Sequence, residues 1–272
     1  MSTPLIKVQQ LGLQFVKRES TTTIFKDLSF DIREGEVLCM VGESGSGKSV
    51  AAKSIMRLLP EPPAQYTQGQ ILFEGQDLLK LNEKQLCQVR GKKIAMVFQD
   101  ALSALNPVYT IGTQMVDLIR LHADKKLSRK VALSEAKELL KQVEIRNVDD
   151  VVKQYPFQLS GGMRQRVMIA MALSSKPKLL LADEPTTALD VTVQAQILQL
   201  ILKLKKQYGM TVLFITHDLG VVHEVADRVI VMKQGELVEE GSKTDIFTRP
   251  AHPYTKQLLS SMPRIYFEEV KL

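Results

Sequence analysis

The stretch "VLCMVGESGSGKSV", which runs from Val37 to Val50, indicates the architecture of the whole chain. It opens with five apolar residues, Val37–Val41, a composition typical of a strand buried on both faces of a parallel sheet. A glycine-rich turn follows, and "SVAAKSIMRLL" beyond it predicts a helix that Pro60 is expected to end. Strand, glycine-rich loop and helix in this order predict an α/β protein with a mainly parallel sheet.

The loop between this strand and helix matches the pattern G-x-x-x-x-G-K-[S/T]. Its glycines let backbone N–H groups curl around phosphate oxygens, and the following helix presents its positive N-terminus to the same anion. We expect Lys48 to bridge the β- and γ-phosphates of a nucleotide and the Ser49 hydroxyl to ligate Mg²⁺. The loop therefore predicts a nucleotide site formed by Gly42, Glu43, Ser44, Gly45, Ser46, Gly47, Lys48 and Ser49.

Polar side chains end three further predicted strands. "LLLADE", Leu179–Glu184, closes an apolar run with two carboxylates, and burying Asp183 is costly unless a cation such as nucleotide-bound Mg²⁺ receives it. Glu184 is then expected beside the γ-phosphate, where it would orient or deprotonate an attacking water. His217 ends "VLFITH" and Gln99 ends "AMVFQ". Because ligands of open α/β sheets gather at such strand ends, we expect these side chains to meet one phosphate.

A second candidate anion site lies in "YPFQLSGGMRQRVMIAMALS", Tyr155–Ser174. Ser160, Gly161 and Gly162 place a hydroxyl and two bare amides at the start of a predicted basic helix, whose dipole favours an anion. One nucleotide needs only one such phosphate-binding site. The residues alone therefore leave open whose phosphate binds at the second site.

Strand and helix patterns divide the chain into three regions. Leu5–Ile32 alternates apolar and polar residues, which predicts antiparallel strands with one solvated face. From about Ala101 to Leu159 helical spacing dominates, with Ser128 or Ser134 as the cap of a long helix. After Lys178 strands and helices alternate again, and "RVIVMKQGELVEEG" is predicted to be the last strand.

The composition is that of a globular protein. The 272 residues are 44% hydrophobic and 24% charged, and the net charge of +6 is expected to be a solvated basic surface. No run approaches the length of about 18 apolar residues that spans a bilayer, and the N-terminus lacks a secretory pattern, so we expect a cytoplasmic protein. Aromatic and basic residues are not interleaved, so no nucleic-acid partner is expected.

Taken together, these stretches resemble the nucleotide-binding subunit of ATP-binding-cassette (ABC) transporters, and the resemblance extends from about Leu5 to Pro263. Gly42–Ser49 resembles the Walker A motif and Leu179–Glu184 the Walker B motif. "LSGGMRQR", Leu159–Arg166, is similar to the family signature. The signature is the diagnostic part, because many NTPases share the P-loop alone.

Smaller features extend the resemblance. "TALD", Thr187–Asp190, is similar to the D-loop, Gln99 to the Q-loop residue, His217 to the switch histidine, and Phe15 to the aromatic residue that stacks on adenine. The resemblance implies catalytic roles for Glu184, His217, Gln99 and Lys48, and Mg²⁺ ligation by Ser49, Gln99 and Asp183. Beyond the Walker A residues, it implies ATP contacts by Phe15, Ser160, Gly161, Gly162 and Asp190.

The resemblance also implies a fold. The expected fold is a P-loop NTPase RecA-like core with a mainly parallel sheet, an N-terminal antiparallel β subdomain and a helical subdomain insert. Residues 1–263 would form the nucleotide-binding domain, with the core at 1–99 and 166–250 and the helical subdomain at about 100–165. Residues 264–272 would form a short C-terminal tail.

The resemblance also implies an assembly, and in this assembly the second anion site has a ligand. In the family, two ATPase subunits pack head to tail, and each signature loop closes over the ATP held by the Walker A motif of the other. Two transmembrane permease subunits are the expected direct partners, and an extracytoplasmic solute-binding protein is an indirect one. The chain would therefore lie peripherally on the cytoplasmic face of the inner membrane.

Two stretches resemble one group of importers, those for peptides and nickel: "FQDALSALNPVYTIG", Phe98–Gly112, and "HPYTKQLLSSMP", His252–Pro263. In the family, the region after the Q-loop, here Asp100–Gly112, contacts the permeases. Dipeptide, oligopeptide, glutathione and nickel remain open as cargo. The chain stops at Leu272 without a cysteine after Cys87, so we expect no iron–sulfur site and a partner ATPase, homologous or identical, supplied by another chain.

Two other function classes are weaker alternatives. A non-transport ATPase of the same family, acting on nucleic acid or the ribosome, usually carries tandem cassettes or a long coiled-coil insert, and neither pattern is present in the sequence. A simple P-loop kinase or GTPase would not need "LSGGMRQR". The sequence therefore favours a transport ATPase.

Overall fold

The computed structural model describes residues 4–123, 125–187 and 189–261. The strands are β1 Pro4–Val16, β2 Thr21–Arg33, β3 Val37–Val41, β4 Ala64–Phe73, β5 Gln76–Asp77, β6 Ile94–Val97, β7 Leu179–Asp183, β8 Thr211–Thr216, β9 Arg228–Lys233 and β10 Glu236–Ser242. The helices are α1 Lys48–Ile55, α2 Glu83–Val89, α3 Ala101–Ala104, α4 Ile111–His122, α5 Arg129–Gln142, α6 Val148–Val151, α7 Gly161–Leu173, α8 Val191–Tyr208, α9 Leu219–Val225, α10 Lys243–Thr248 and α11 Pro253–Ser260. None of these helices is both long and apolar enough to cross a bilayer.

The chain divides into two compact units. Unit 1 comprises Met1–Leu86 and Thr211–Leu272, and unit 2 comprises Cys87–Met210. The core and helical-subdomain boundaries expected from the sequence stay a prediction. The predicted tail, 264–272, lies outside the described residues.

Unit 1 is organised around β3, whose five residues are all buried. β3 pairs in parallel with β8 on one side and with β9 on the other, and β10 extends this sheet antiparallel to β9. Burial on both faces explains why β3 and β8 are apolar without alternation. The predicted order of buried strand, glycine-rich loop and helix is confirmed, and β3 has the predicted bounds.

The predicted antiparallel N-terminal strands are also confirmed. They form a four-stranded sheet in the order β2-β1-β4-β5, with β1 antiparallel to both β2 and β4. The register of β1 against β2 shifts between Val8 and Leu11, which indicates a bulge. Gln10, within this interval, has a left-handed φ of 48°. The bulge lets β1 bend while its apolar face stays buried.

Two predictions about element ends are wrong. The helix α1 ends at Ile55 rather than at Pro60, because Arg57 adopts a left-handed φ of 47°. The N–H groups of Arg57 and Leu58 then bond back to the carbonyls of Ser54 and Lys53, at 3.0 and 2.9 Å, which closes the helix with a Schellman motif.

The stretch predicted as one final strand is instead the hairpin β9–β10. Gln234 and Gly235 form its turn, with φ values of 47° and 82°. Positive φ at both central residues is the geometry of a tight hairpin turn, so the chain reverses where the sequence analysis extended it.

Unit 2 contains the parallel pair β6 and β7 and a long helical segment between them. The helices α3 to α6 confirm the helical character predicted from about Ala101 to Leu159. Ser128 rather than Ser134 caps α5, because its hydroxyl accepts a hydrogen bond from the Val131 N–H at 3.3 Å. Ser134 lies inside the helix.

A buried ion cluster joins four parts of unit 1. Arg228, at the start of β9, has a side chain only 8% exposed and donates to Glu36 Oε1 at 2.7 Å. The same guanidinium donates to the Asp31 carbonyl at 2.7 Å and to Glu240. Since Glu36 precedes β3, the cluster ties the strand that leads into the glycine-rich loop to β2, β9 and β10.

Replacing the cation of this cluster should therefore destabilise the protein. We expect Arg228→Met to lower the free energy of unfolding by about 3 kcal/mol, because Glu36 would be left buried without its partner. Urea unfolding followed by circular dichroism measures the change. Lys141→Met is the control, since it breaks an exposed ion pair with Glu138 and should leave the unfolding midpoint nearly unchanged. Equal midpoints for the two variants would contradict a stabilising role for the cluster.

Candidate nucleotide-binding site

The glycine-rich loop of unit 1, Gly42–Ser49, is the P-loop of this chain, and it is tightly packed at both ends. Gly42 has a φ of 151°, and a Cβ there would lie 2.1 Å from the carbonyl oxygen of Met232. Gly47 has a φ of 102°, and its Cβ would lie 2.8 Å from the ring of Phe25. Both positions therefore require glycine for backbone conformation and for space.

Lys48 is the first residue of α1, and its side chain is folded over the P-loop. The residue is only 4% exposed. Its ammonium group donates to the carbonyl oxygens of Gly42 at 2.7 Å and Glu43 at 2.8 Å, and lies 3.4 Å from the Ser46 hydroxyl. A buried positive charge is thus held at the loop by oxygen acceptors, in a position suited to a phosphate anion.

Tyr254 is a P-loop contact that the sequence analysis missed. The backbone N–H of Glu43 donates to the Tyr254 hydroxyl at 3.0 Å. The ring lies under the ammonium of Lys233, which is 4.8 Å from the ring centroid. Burial raises the pKa of the Tyr254 hydroxyl. Tyr254 belongs to the "HPYT" stretch, where His252 caps α11 by accepting from the Tyr254 N–H at 3.1 Å.

Two other predicted residues lie in unit 1. His217 follows β8 directly and is exposed, as expected for a side chain at the carboxyl end of a parallel strand. The next residue, Asp218, caps α9 by accepting hydrogen bonds from two N–H groups. Phe15 lies half-buried in β1. The roles of His217 and Phe15 at the nucleotide stay predictions.

In unit 2, the structure brings Gln99 and Glu184 together. Asp183, the last residue of β7, is only 4% exposed, and Glu184 follows it with a left-handed φ of 47°. One carboxylate oxygen of Glu184 accepts two hydrogen bonds, from the Gln99 amide at 2.9 Å and from the Thr187 hydroxyl at 3.0 Å. Thr187 was not predicted as a site residue, although it begins the quoted "TALD".

The predicted signature and D-loop residues of unit 2 lie at helix starts. Ser160 caps α7 by accepting from the Met163 N–H at 3.3 Å, and Asp190 caps α8 by accepting from the Val193 N–H at 3.0 Å. The predicted basic helix after the signature glycines is confirmed as α7. A cavity of about 290 Å³ lies beside α7 and is lined in part by Gln99, Gly161 and Thr187.

Comparison with known proteins connects these features. A family model described as ABC transporter matches residues 25–187. The chain belongs to the ABC transporter family. A second model, described as oligopeptide/dipeptide transporter, C-terminal region, matches residues 238–272. The fold is accordingly that of a P-loop ATPase cassette, and the chain is an ATP-binding, ATP-hydrolysing subunit that powers an ABC transporter.

Individual relatives agree with this assignment. The chain is 51% identical to the probable peptide ABC transporter ATP-binding protein y4tR of Sinorhizobium fredii, over 95% of this chain and 77% of that protein. It is 50% identical to the oligopeptide transport ATP-binding protein OppD of Bacillus subtilis, over 97% of this chain and 73% of that protein. A dimeric structure of the ATP-binding cassette MJ0796 with ADP and Pi is 32% identical, with a TM-score of 0.78, covering 88% of this chain and 98% of that one.

The contact of Tyr254 with the P-loop can be tested by removing one hydroxyl. We expect Tyr254→Phe to raise the KM for ATP about fivefold, the effect of losing roughly 1 kcal/mol of hydrogen-bond energy at the loop. Steady-state ATPase assays over a range of ATP concentrations measure the change. Tyr109→Phe, at an exposed tyrosine of unit 2, is the control and should leave KM unchanged. A KM within twofold of wild type in Tyr254→Phe would mean that the hydrogen bond does not shape the loop.

Proposed function

We propose that this chain is the ATPase subunit of an importer for peptides or related small solutes. Both relatives named above carry peptide or oligopeptide transport in their names, and residues 238–272 match the family model of the C-terminal region of oligopeptide/dipeptide transporters. The observation that carries the proposal is this match, and the matched region supplies Tyr254, which contacts the P-loop. Dipeptides and oligopeptides are the first candidates for cargo, with glutathione and nickel as alternatives.

For hydrolysis, we propose that Lys48 binds the β- and γ-phosphates of ATP and that His217 contacts the γ-phosphate. The P-loop amides would bind the remaining phosphate oxygens, with Phe15 stacked on adenine. Lys48 is suited to this role because its ammonium already lies at the loop, and a phosphate oxygen can replace a carbonyl as its acceptor.

Ser49, Gln99 and Asp183 are the proposed ligands of the Mg²⁺ that accompanies ATP. A hydroxyl, an amide and a carboxylate supply the hard oxygen ligands that Mg²⁺ prefers. Gln99 fits because its amide nitrogen donates to Glu184, which leaves its carbonyl oxygen as the ligand atom. The bound ion would neutralise charge that develops on the phosphates.

Glu184 is the proposed base, which would accept a proton from the water that attacks the γ-phosphate. Two donors, Gln99 and Thr187, hold the same carboxylate oxygen and therefore fix the orientation of the carboxylate before ATP binds. A base held in place loses less entropy when the reaction begins. Gln99 would thus both orient the base and ligate the ion.

The active unit is proposed to be a head-to-tail dimer with a second ATPase subunit, homologous or identical. Ser160, the amides of Gly161 and Gly162, and Asp190 would close over ATP bound to the other subunit, because the N-terminus of α7 favours an anion. The dimeric structure of the MJ0796 cassette with ADP and Pi supports a dimer as the active unit. The site would then be complete only between two chains.

Two transmembrane permease subunits are the other proposed direct partners, and a solute-binding protein would act through them. Exposed apolar side chains support a docking surface after the Q-loop, since Leu102, Val108 and Tyr109 are 46%, 69% and 53% exposed. Docking there would hold the chain peripherally on the cytoplasmic face of the membrane.

The dimer and the base can be tested together with Glu184→Gln. We expect ATP binding to persist while hydrolysis falls on the order of 10³-fold, as for loss of a general base. ATP should then trap a dimer that elutes early on a sizing column. Adding Ser160→Arg should abolish this dimer, because a bulky cation would occupy the signature, whereas Ser134→Arg on the exposed face of α5 should not. Full hydrolysis by Glu184→Gln would mean that the base lies elsewhere.

Transport itself can be tested in cells from which the chain has been deleted. Complementation with the wild-type chain should restore uptake of labelled peptides, and Lys48→Ala should abolish it, since the phosphates lose their main side-chain partner. Lys84→Ala, at an exposed lysine of α2, is the control and should restore uptake fully. Restored uptake of glutathione or nickel, with peptide uptake unaffected by the deletion, would replace the peptide assignment.

A further inference from the structure

The two glycines of the signature have different neighbours within their own chain. A Cβ added to Gly162 would lie 2.7 Å from Cγ1 of Val193, closer than non-bonded carbon atoms approach. A Cβ added to Gly161 would meet only Cδ2 of Leu189, at 3.4 Å. Gly162 is therefore in direct contact with α8, and Gly161 has room for a methyl group.

Backbone conformation does not explain Gly162. It lies in the first turn of α7 with helical geometry, a conformation that any residue adopts. Alanine is the better helix former at such a position. The constraint inside the chain is instead the side chain of Val193, which is β-branched and cannot rotate away easily on a helix.

Val193 connects the two helix starts that carry predicted nucleotide contacts. Its N–H is held by the carboxylate of Asp190, which caps α8. Its side chain fits against Gly162, two residues after Ser160, which caps α7. The contact therefore relates the position of Ser160 to that of Asp190 within one subunit.

We propose that Val193 is a positioning residue for the signature: by packing on Gly162, it fixes Ser160 and the first amides of α7 relative to Asp190. The proposal rests on the proposed function, in which these groups bind ATP of the partner subunit. The packing of Val193 also gives a structural reason for glycine at the second position of the signature pair. Gly162 lacks a side chain so that α7 and α8 can touch, in addition to any approach of the nucleotide.

The size of the expected effect follows from the geometry. A methyl group at position 162 would have to move about 0.7 Å from 2.7 Å to reach an ordinary contact of 3.4 Å. A misplacement of about 1 Å in a reacting group can cost on the order of 10²-fold in rate. In Gly162→Ala/Val193→Ala the clashing Cγ1 is gone, and the nearest remaining atom, the Cβ of residue 193, lies at 3.9 Å.

The experiment compares Gly162→Ala, Val193→Ala and the double variant in the full-length chain. We expect Gly162→Ala to lower the kcat of ATP hydrolysis by roughly 30-fold, with less change in the KM for ATP, because the P-loop is untouched. Val193→Ala alone should also lower kcat, by roughly fivefold, because α7 loses the contact that positions it. In the double variant the added methyl group at position 162 lies 3.9 Å from the Cβ of residue 193, which restores the contact, so kcat should exceed that of either single variant. Binding of a fluorescent ATP analogue, which needs the P-loop, should be unchanged in all three and shows that each variant is folded.

Two controls make the rescue specific. Thr192→Ala, at the exposed neighbour of Val193, should not restore Gly162→Ala. Val193→Ala should likewise not restore Gly161→Ala, because a methyl group at position 161 has room within the chain and any loss of activity would come from the proposed nucleotide contact. In the Glu184→Gln background, Gly162→Ala should lose the ATP-trapped dimer and the double variant should regain it.

The proposal is overturned if Val193→Ala alone keeps wild-type activity, because the signature would then not need Val193 to position it, or if the double variant is as inactive as Gly162→Ala, because the methyl group would then obstruct only the nucleotide. That result leaves the proposed function intact, since Glu184→Gln with Ser160→Arg tests the function separately. If Glu184→Gln forms no dimer with ATP, the proposed function fails first. Reduced ATPase activity in Val193→Ala, together with its recovery in the double variant, supports the positioning role.

Discussion

The buried ammonium of Lys48 is the charge around which the P-loop of unit 1 is organised. It lies against the carbonyl oxygens of Gly42 and Glu43, so the P-loop must keep a shape that turns those oxygens toward one point. Glycine at position 42 allows that shape, and Tyr254 holds the Glu43 N–H from outside. The loop is therefore ready for an anion before one binds, which reduces the cost of ordering it.

In unit 2, several side chains have more than one role. Gln99 donates to Glu184 and keeps an oxygen for a cation, while Thr187 holds the same carboxylate. Ser160 and Asp190 cap helices and are also proposed to contact the nucleotide of a partner. Because each of these four side chains has a hydrogen-bond partner in the chain, the geometry that they offer to ATP is set by contacts within the chain.

The sequence predicted the elements that depend on local pattern. β3 and the P-loop were identified correctly because burial on both faces and the glycine pattern each leave a clear signal. The same reasoning failed at Pro60, where a left-handed Arg57 ended the helix earlier, and at Gln234, where a hairpin turn interrupted an apparent strand. A residue other than glycine at positive φ leaves little trace in sequence, since its conformation is imposed by neighbouring packing.

By itself the sequence determined the candidate chemistry of the chain: which groups are proposed to bind phosphate, which carboxylate is the candidate base, and which serine begins the signature. Only the tertiary structure decided which residues support them. Tyr254 reaches the P-loop across 211 positions of sequence, and Val193 meets Gly162 only because two helices pack side by side. Motifs are short because ligands are small, whereas the contacts that hold motifs in place join distant segments, and no local pattern records them.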